Sequence, residues 1–173
     1  MEGIKKLPQM GFGESVKTVL KNLLNFNGRA RRSELWWYWL AYLIVAGTFN
    51  ILLQNSPLVS GIVSIVLQLT LWSVTVRRLH DRGHGGWWVT VSILLSVFGQ
   101  VYLQGSGFYE MMQSVNPDIE ELTAAFRDPV FMLCGLVSLI LNITILVFCL
   151  RDSKPETNKY GLSPKYVATD DNI

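Results

Sequence analysis

Charged side chains are scarce: Asp, Glu, Lys and Arg make up 16% of the 173 residues, against roughly 25% in an ordinary soluble domain. The shortage is uneven. Four blocks, Trp36–Leu53, Leu58–Val76, Trp87–Leu103 and Val130–Leu150, hold no Asp, Glu, Lys, Arg or His and run 18, 19, 17 and 21 residues. A helix needs about 20 residues, range about 17–25, to cross a hydrocarbon core of roughly 30 Å. Four such blocks leave little chain for a soluble fold. The expected fold class is therefore all-α, an integral membrane bundle of four transmembrane helices.

Other shortages narrow the function. Two cysteines, Cys134 and Cys149, stand fifteen positions apart in one block, about 22 Å along a helix at roughly 1.5 Å per residue. They cannot bridge each other and read as small apolar fillers. The four blocks also lack the intramembrane ionisable groups that mark ion pathways in coupled carriers, which argues against a proton- or sodium-driven transporter. The first block starts too far in, and is too long, to be the apolar part of a cleaved signal peptide.

Basic residues are nearly absent from two of the five segments between and beyond the blocks. Gln54–Pro57 and Gln104–Pro129 together hold Arg127 alone, while the other three segments hold fourteen Lys and Arg. By the positive-inside rule, both termini and the loop after the second span face the cytoplasm. All six tryptophans, Trp36, Trp37, Trp39, Trp72, Trp87 and Trp88, fall towards the basic ends of their spans. There an indole can bury its ring and reach the headgroups, so they are read as interfacial anchors. The predicted organisation is a cytoplasmic tail with a short amphipathic helix over 1–28, a membrane domain over 29–150 and a cytoplasmic tail over 151–173.

In the first segment Phe12, Val16, Val19, Leu20, Leu23 and Leu24 recur at helical spacing, with Lys17 and Lys21 on the other face. Such a helix suits a membrane surface or a cuff beneath the bundle, with Asn27-Gly28 as its stop. In the acidic segment before the last block, Asn116-Pro117 has the chemistry of a helix start, and Ile119, Leu122 and Phe126 share a face.

Two stretches at the basic ends combine arginine, an acid and a tryptophan pair. One is Phe26–Trp37, with Arg29, Arg31, Arg32 and Glu34. The other is Val76–Trp88, with Arg77, Arg78, Asp81 and Arg82. Guanidinium forks match phosphate oxygens, so this collar could bind anionic headgroups. Glu34 and Asp81 could equally pair with arginines across the two stretches and pin the helix ends.

With Asn158-Lys-Tyr-Gly-Leu-Ser-Pro164 in the tail, these stretches resemble the family called domain of unknown function 805, small bacterial inner-membrane proteins. The resemblance rests on Phe-x-Gly-Arg-x-x-Arg-x-Glu-x-Trp over 26–36, on Arg-Arg-Leu-His-Asp with a Gly-Trp-Trp ending over 77–88, and on that tail motif. It implies a bacterial inner (cytoplasmic) membrane location and no particular activity. The segment from Leu103 to Pro129 is longer than the family leads one to expect.

His80-Asp81-Arg82-Gly83-His84 is similar to the zinc-protease spacing His-Glu-x-x-His. The glycines at 83, 85 and 86 break the helix that arrangement needs, and no third ligand is evident. His80 is expected instead to hydrogen-bond within the arginine–aspartate cluster. No catalytic residue, metal, cofactor or nucleic-acid partner is expected. The expected function is non-enzymatic: binding membrane lipid of anionic character, or a protein partner, through the collar, with a homo-oligomer possible. The alternative is a small channel or transporter component acting as an oligomer, lined by Asn50, Gln68, Thr70, Gln100, Asn142 and Thr144, which could equally bond between helices.

Overall fold

The computed structural model of the chain describes residues 4–114, 120, 123 and 126–168. Among the described residues, four helical runs are long and apolar enough to cross a membrane: Arg32–Leu52, Pro57–Asp81, Trp87–Gly105 and Pro129–Leu150. They are α2 (Arg32–Leu52), α3 (Pro57–Thr70) continued by α4 (Trp72–Asp81), α5 (Trp87–Gly105) and α7 (Pro129–Leu150); α1 (Phe12–Lys21) precedes them and α6 (Phe108–Gln113) follows α5. The second span tightens at Leu71, whose amide donates to Gln68 O at 3.1 Å, the i→i−3 bond of a 3₁₀ turn.

The spans outrun their uncharged blocks at the basic end. The first begins at Arg32, and the second runs on to Asp81. Arg77, Arg78 and His80 therefore stand on a helix rather than in a loop, and Glu34 lies in the first turn of α2. What stops α4 is local. Gly83 takes φ +86°, its amide donates to His80 O at 2.9 Å, and the His84 amide donates to Leu79 O at 3.0 Å. Those are the two bonds of a Schellman motif, which favours glycine at its left-handed position. The chain turns into α5 by near contact: a Cβ on Gly86 would lie 2.6 Å from Val76 Cγ1.

The helix α1 ends at Lys21, seven residues before Gly28, so Asn27-Gly28 is not its stop. Ser15 and Val19 are its buried residues. The loop after α1 climbs beside α4, where Ser73 Oγ donates to Asn22 O and Phe26 meets Trp72 edge-on at 5.3 Å. Trp72 stands nine residues before the end of its span, about 14 Å along the axis. It lies deeper than an interfacial residue at the helix end would.

Residues near the two ends of the chain pair with each other. Strand β1 (Ile4–Lys6) runs antiparallel to β2 (Tyr166–Ala168), with Lys5 opposite Val167. That pairing requires both strands to lie on the same side of the bundle, as four spans demand. At the opposite end, Asp128 accepts from Phe131 N at 2.9 Å and caps α7, with Pro129 at its first position. The surface helix expected from Asn116-Pro117 falls outside the described residues, save Glu120, Thr123 and Phe126, of which Phe126 packs edge-on against Phe108 and Phe131.

Burial is lopsided. The buried apolar residues Val19, Ala30, Leu35, Tyr38, Val74, Val76, Leu79, Val89, Ile93, Ile145 and Cys149 cluster at the basic end. The other half of each span exposes large apolar side chains, among them Ile51, Ile62, Val101, Leu133 and Leu136. Those faces suit hydrocarbon.

Candidate functional site

At the basic end the best-buried charged groups are Arg78 and Asp81, both fully enclosed. Arg29 enters from the α1–α2 loop and donates from Nε to Asp81 Oδ1 at 2.8 Å, while Arg78, one turn before Asp81 on α4, donates from Nη1 to Oδ2 at 2.5 Å. One carboxylate thus serves two guanidinium groups, leaving a net positive charge in a buried place. Backbone carbonyls offset it. Arg29 donates to Lys154 O at 2.6 Å, Glu156 O at 2.8 Å, Gly161 O at 3.2 Å and Asp81 O at 3.4 Å. Arg78 donates to Cys149 O at 3.3 Å, Ala30 O at 3.4 Å and Ser153 Oγ at 3.1 Å, and to Arg151 O at close range. The carbonyls at the end of α7 carry the negative end of the helix dipole and lack intrahelical partners, so Arg78 caps that helix.

A guanidinium has five N–H donors, and Arg29 spends its full set on the protein. Arg29 and Arg78 therefore hold the chain after α7 rather than offering forks to an outside phosphate. The tail is held along its length. Asn158 Nδ2 donates to His80 O at 2.9 Å, and Tyr160 lies flat on the His80 ring at 3.7 Å. The imidazole also hydrogen-bonds to the backbone of Gly28, the residue before Arg29, rather than to a side chain of the arginine–aspartate cluster. Arg31 donates to Pro164 O at 2.5 Å and Pro8 O at 2.7 Å, tying the tail to the segment after β1. Arg82 donates to Asp152 O at 2.8 Å.

Glu34 and Arg77 approach to 2.9 Å across α2 and α4, nearly buried. Arg77 Nε and Nη2 have no hydrogen-bond partner among the described residues, so this contact is a less complete pair than the Arg29–Asp81–Arg78 triad. His84 lies past the Gly83 turn, stacked on Phe148 at 3.9 Å. Burial, then the charges of Arg82, Arg151 and Lys154, hold its imidazole below the usual range.

The tryptophans divide. Trp37 meets Phe12 of α1 edge-on at 5.9 Å, Trp36 meets Trp39 at 5.8 Å, and Trp87 stacks on Trp88 at 4.1 Å. Trp88 packs edge-on against Phe148. Several of these indoles therefore fasten local elements together.

Arg32 differs from its neighbours: it is exposed, its side chain makes no hydrogen bond or salt bridge among the described residues, and its charge acts on the Asp152 carboxylate from beyond contact distance. It lines a cavity of about 300 Å³ with Pro8, Arg31, Ser33, Trp36, Trp37, Asp152 and Lys165. Lys165 contacts Asp152 closely, and that contact holds the Asp152 carboxyl below its usual range. The lining carries three cations against one carboxylate, at the N-terminus of α2 where a helix is positive. Residue patterns pointed to Arg31, Arg32, Trp36 and Trp37. They did not point to Pro8, Asp152 or Lys165, which the β1–β2 pairing brings in with no local signal of its own.

Above this cavity a second one of about 400 Å³ runs between α2 and α7, with α4 and α5 behind it; Trp36 lines both.

Three stretches meet at this end: Phe26–Trp37, Arg77–Trp88 and Asn158–Pro164. Comparison with known proteins covers the same ground. A family profile described as protein of unknown function (DUF805) matches residues 23–162. The chain is similar to inner membrane protein YhaH of Escherichia coli K12, 34% identical over 84 residues, which are 44% of this chain and 69% of YhaH. It is also similar to inner membrane protein YhaI of that organism, 37% identical over 75 residues, 41% of this chain and 64% of YhaI. No solved structure matches.

Proposed function

We propose, from the premise that this chain belongs to the DUF805 family of proteins of unknown function, that it is a non-enzymatic inner-membrane protein holding an anionic lipid headgroup at the foot of α2. The inner-membrane names of its relatives support that location. The fourteen-to-one distribution of basic residues supports a cytoplasmic basic end. Labelling tests that orientation: with Cys134 and Cys149 replaced by alanine, an impermeant thiol reagent on intact cells should modify Ser106→Cys and spare Leu162→Cys. The reverse pattern would invert the topology.

The observation that carries the headgroup reading is the contrast between Arg32 and the rest of the collar. Arg29 and Arg78 are bonded to the chain, whereas Arg32 stands exposed beside Trp36 and Trp37, without a hydrogen bond or salt bridge among the described residues, in a cavity with three cations and one carboxylate. A basic residue at an anionic surface contributes roughly 1 kcal/mol, about a fivefold change in affinity. Native mass spectra of Arg32→Gln and wild type, extracted mildly from the same membranes, should show about that fall in bound anionic lipid. Unchanged retention by a folded variant would contradict the reading and favour a protein partner. The channel alternative draws less support, because the polar side chains between the spans bond to one another or to their own helix, as Gln100 does to Gln68 at 3.2 Å and Ser92 to Asn142 at 3.2 Å.

A further inference from the structure

We infer that the intramembrane cleft between α2 and α7 seats an acyl chain of the same anionic glycerophospholipid whose headgroup lies at Arg32. The inference rests on the headgroup reading and extends it from a charge preference to a two-part site.

The cleft holds about 400 Å³, within the range of roughly 300–1,000 Å³ found for small-molecule pockets. Its walls are mostly apolar, with Leu35 and Trp39 on α2, Leu71 before α4, Val89 on α5, and Ile145 and Leu146 on α7. The side-chain oxygens of Ser92, Thr75, Gln68 and Asn142 that line it are engaged. Ser92 Oγ donates to Asn142 Oδ1, Asn142 Nδ2 to Ser138 O, Thr75 Oγ1 to Leu71 O, and Gln68 Oε1 accepts from Gln100. A cleft whose hydroxyl and amide oxygens are already bonded internally offers a polar solute little and hydrocarbon a great deal. An unfilled groove would forfeit dispersion contacts along its walls.

Position selects the occupant. Asn142 to Cys149 spans seven residues of α7, about 10 Å along the axis, against a leaflet half-thickness of about 15 Å. The cleft begins at the basic end and reaches no further than about mid-span, at Gln68 of the Pro57–Asp81 span, so its occupant comes from the leaflet on that side. Trp36 lines both the cleft and the cavity at Arg32, and three residues beyond Cys149 the chain reaches Asp152 in that lower cavity. A molecule filling the two carries an anion at one end and hydrocarbon from there inward. Rim residues Trp39 and Leu146 are 42% and 45% exposed, which leaves the cleft open sideways for a chain to enter from the bilayer.

The test is photocross-linking in nanodiscs of phosphatidylcholine doped with phosphatidylglycerol that carries a diazirine in its chain. Adducts on the full-length protein are mapped by peptide mass spectrometry. In wild type, adducts should concentrate on Trp39, Leu71 and Leu146 rather than on the bilayer-facing residues Leu136 and Ile140, and unlabelled phosphatidylglycerol should displace them where phosphatidylcholine does not. Leu146→Trp, and separately Leu71→Trp as a second variant should the first fail to fold, should remove the cleft adducts on the other two positions. Arg32→Gln should cut them about fivefold. Adducts spread evenly over α7, with phosphatidylglycerol retention still sensitive to Arg32, would overturn the cleft and leave the headgroup reading standing. Cleft-centred adducts insensitive to Arg32→Gln and displaced equally by phosphatidylcholine would keep the chain seat and overturn the headgroup reading.

Discussion

The two ends of this bundle are held together by different physics. At the basic end the helices enclose a polar core, Arg29, Arg78 and Asp81, surrounded by the carbonyls of the tail. Towards the other end they turn Leu, Ile and Val outward into hydrocarbon. In lipid there is no hydrophobic gain from packing two apolar helices, since the tails are as apolar as leucine. Polar bonds buried where water is scarce hold one arrangement, because breaking any of them strands a partner. The basic end should therefore be the part whose single substitutions matter, and the outer half the part that tolerates change.

The sharpest way to break that contrast is Asp81→Asn. It leaves two buried guanidinium groups without their carboxylate, and breaking a buried pair by removing one partner costs about 3–5 kcal/mol. Chemical denaturation in detergent should register a loss of that order. A loss near zero would mean that the carbonyls alone neutralise both arginines.

Next comes the turn between α4 and α5. A Cβ at Gly86 meets Val76 Cγ1 at 2.6 Å, and overpacking of this kind costs about 1–3 kcal/mol. Gly86→Ala should lower the melting temperature accordingly, and pairing it with Val76→Ala should recover much of the loss.

The Asp152–Lys165 contact at the lower cavity is half open to solvent, with Asp152 49% exposed, and should contribute about 0–1 kcal/mol. Because Lys165 depresses the Asp152 pKa in the folded chain, the contribution is present above the ordinary carboxylate range. It is lost as pH falls through the folded value. Lys165→Gln should flatten that acid limb of the stability–pH profile.

The smallest effect belongs to the outer half. Leu136→Ala and Ile140→Val on α7, both positions 57% exposed, should change stability by less than about 0.5 kcal/mol. A large loss at either would mean that this face packs against protein, as in an oligomer, and would sharpen the comparison by moving α7 out of contact with lipid.

The difference between the ends also explains what could be read in the sequence. Four spans were legible because hydrocarbon excludes charge over a fixed thickness, and the blocks of Trp36–Leu53 through Val130–Leu150 register that exclusion directly. The mixture of Arg, Glu and Asp beside the tryptophans announced charge compensation. What it could not announce was the principal partner of those arginines: a backbone carbonyl carries no residue identity, so nothing marked Lys154, Glu156 or Gly161 as acceptors for Arg29. The same blindness hid the end of α1 at Lys21, where no glycine marks the stop. It also hid the antiparallel pairing of Ile4–Lys6 with Tyr166–Ala168, two three-residue strands more than 150 positions apart. The extension of α4 to Asp81 is obscured because the first charges after Val76 mark the end of the helix's apolar surroundings and not the end of the helix.

The buried arginines either hold the tail against the bundle or they do not. Hydrogen exchange measured on the full-length protein in nanodiscs answers that directly. In wild type the amides of Asn158, Tyr160 and Gly161, bonded within their own turn and held under Arg29 and His80, should exchange slowly. Asp81→Asn should speed them by orders of magnitude while the amides of α7 above Ile145 keep their wild-type rates. Tail amides that exchange freely in wild type, or that stay equally protected in Asp81→Asn, would contradict the claim.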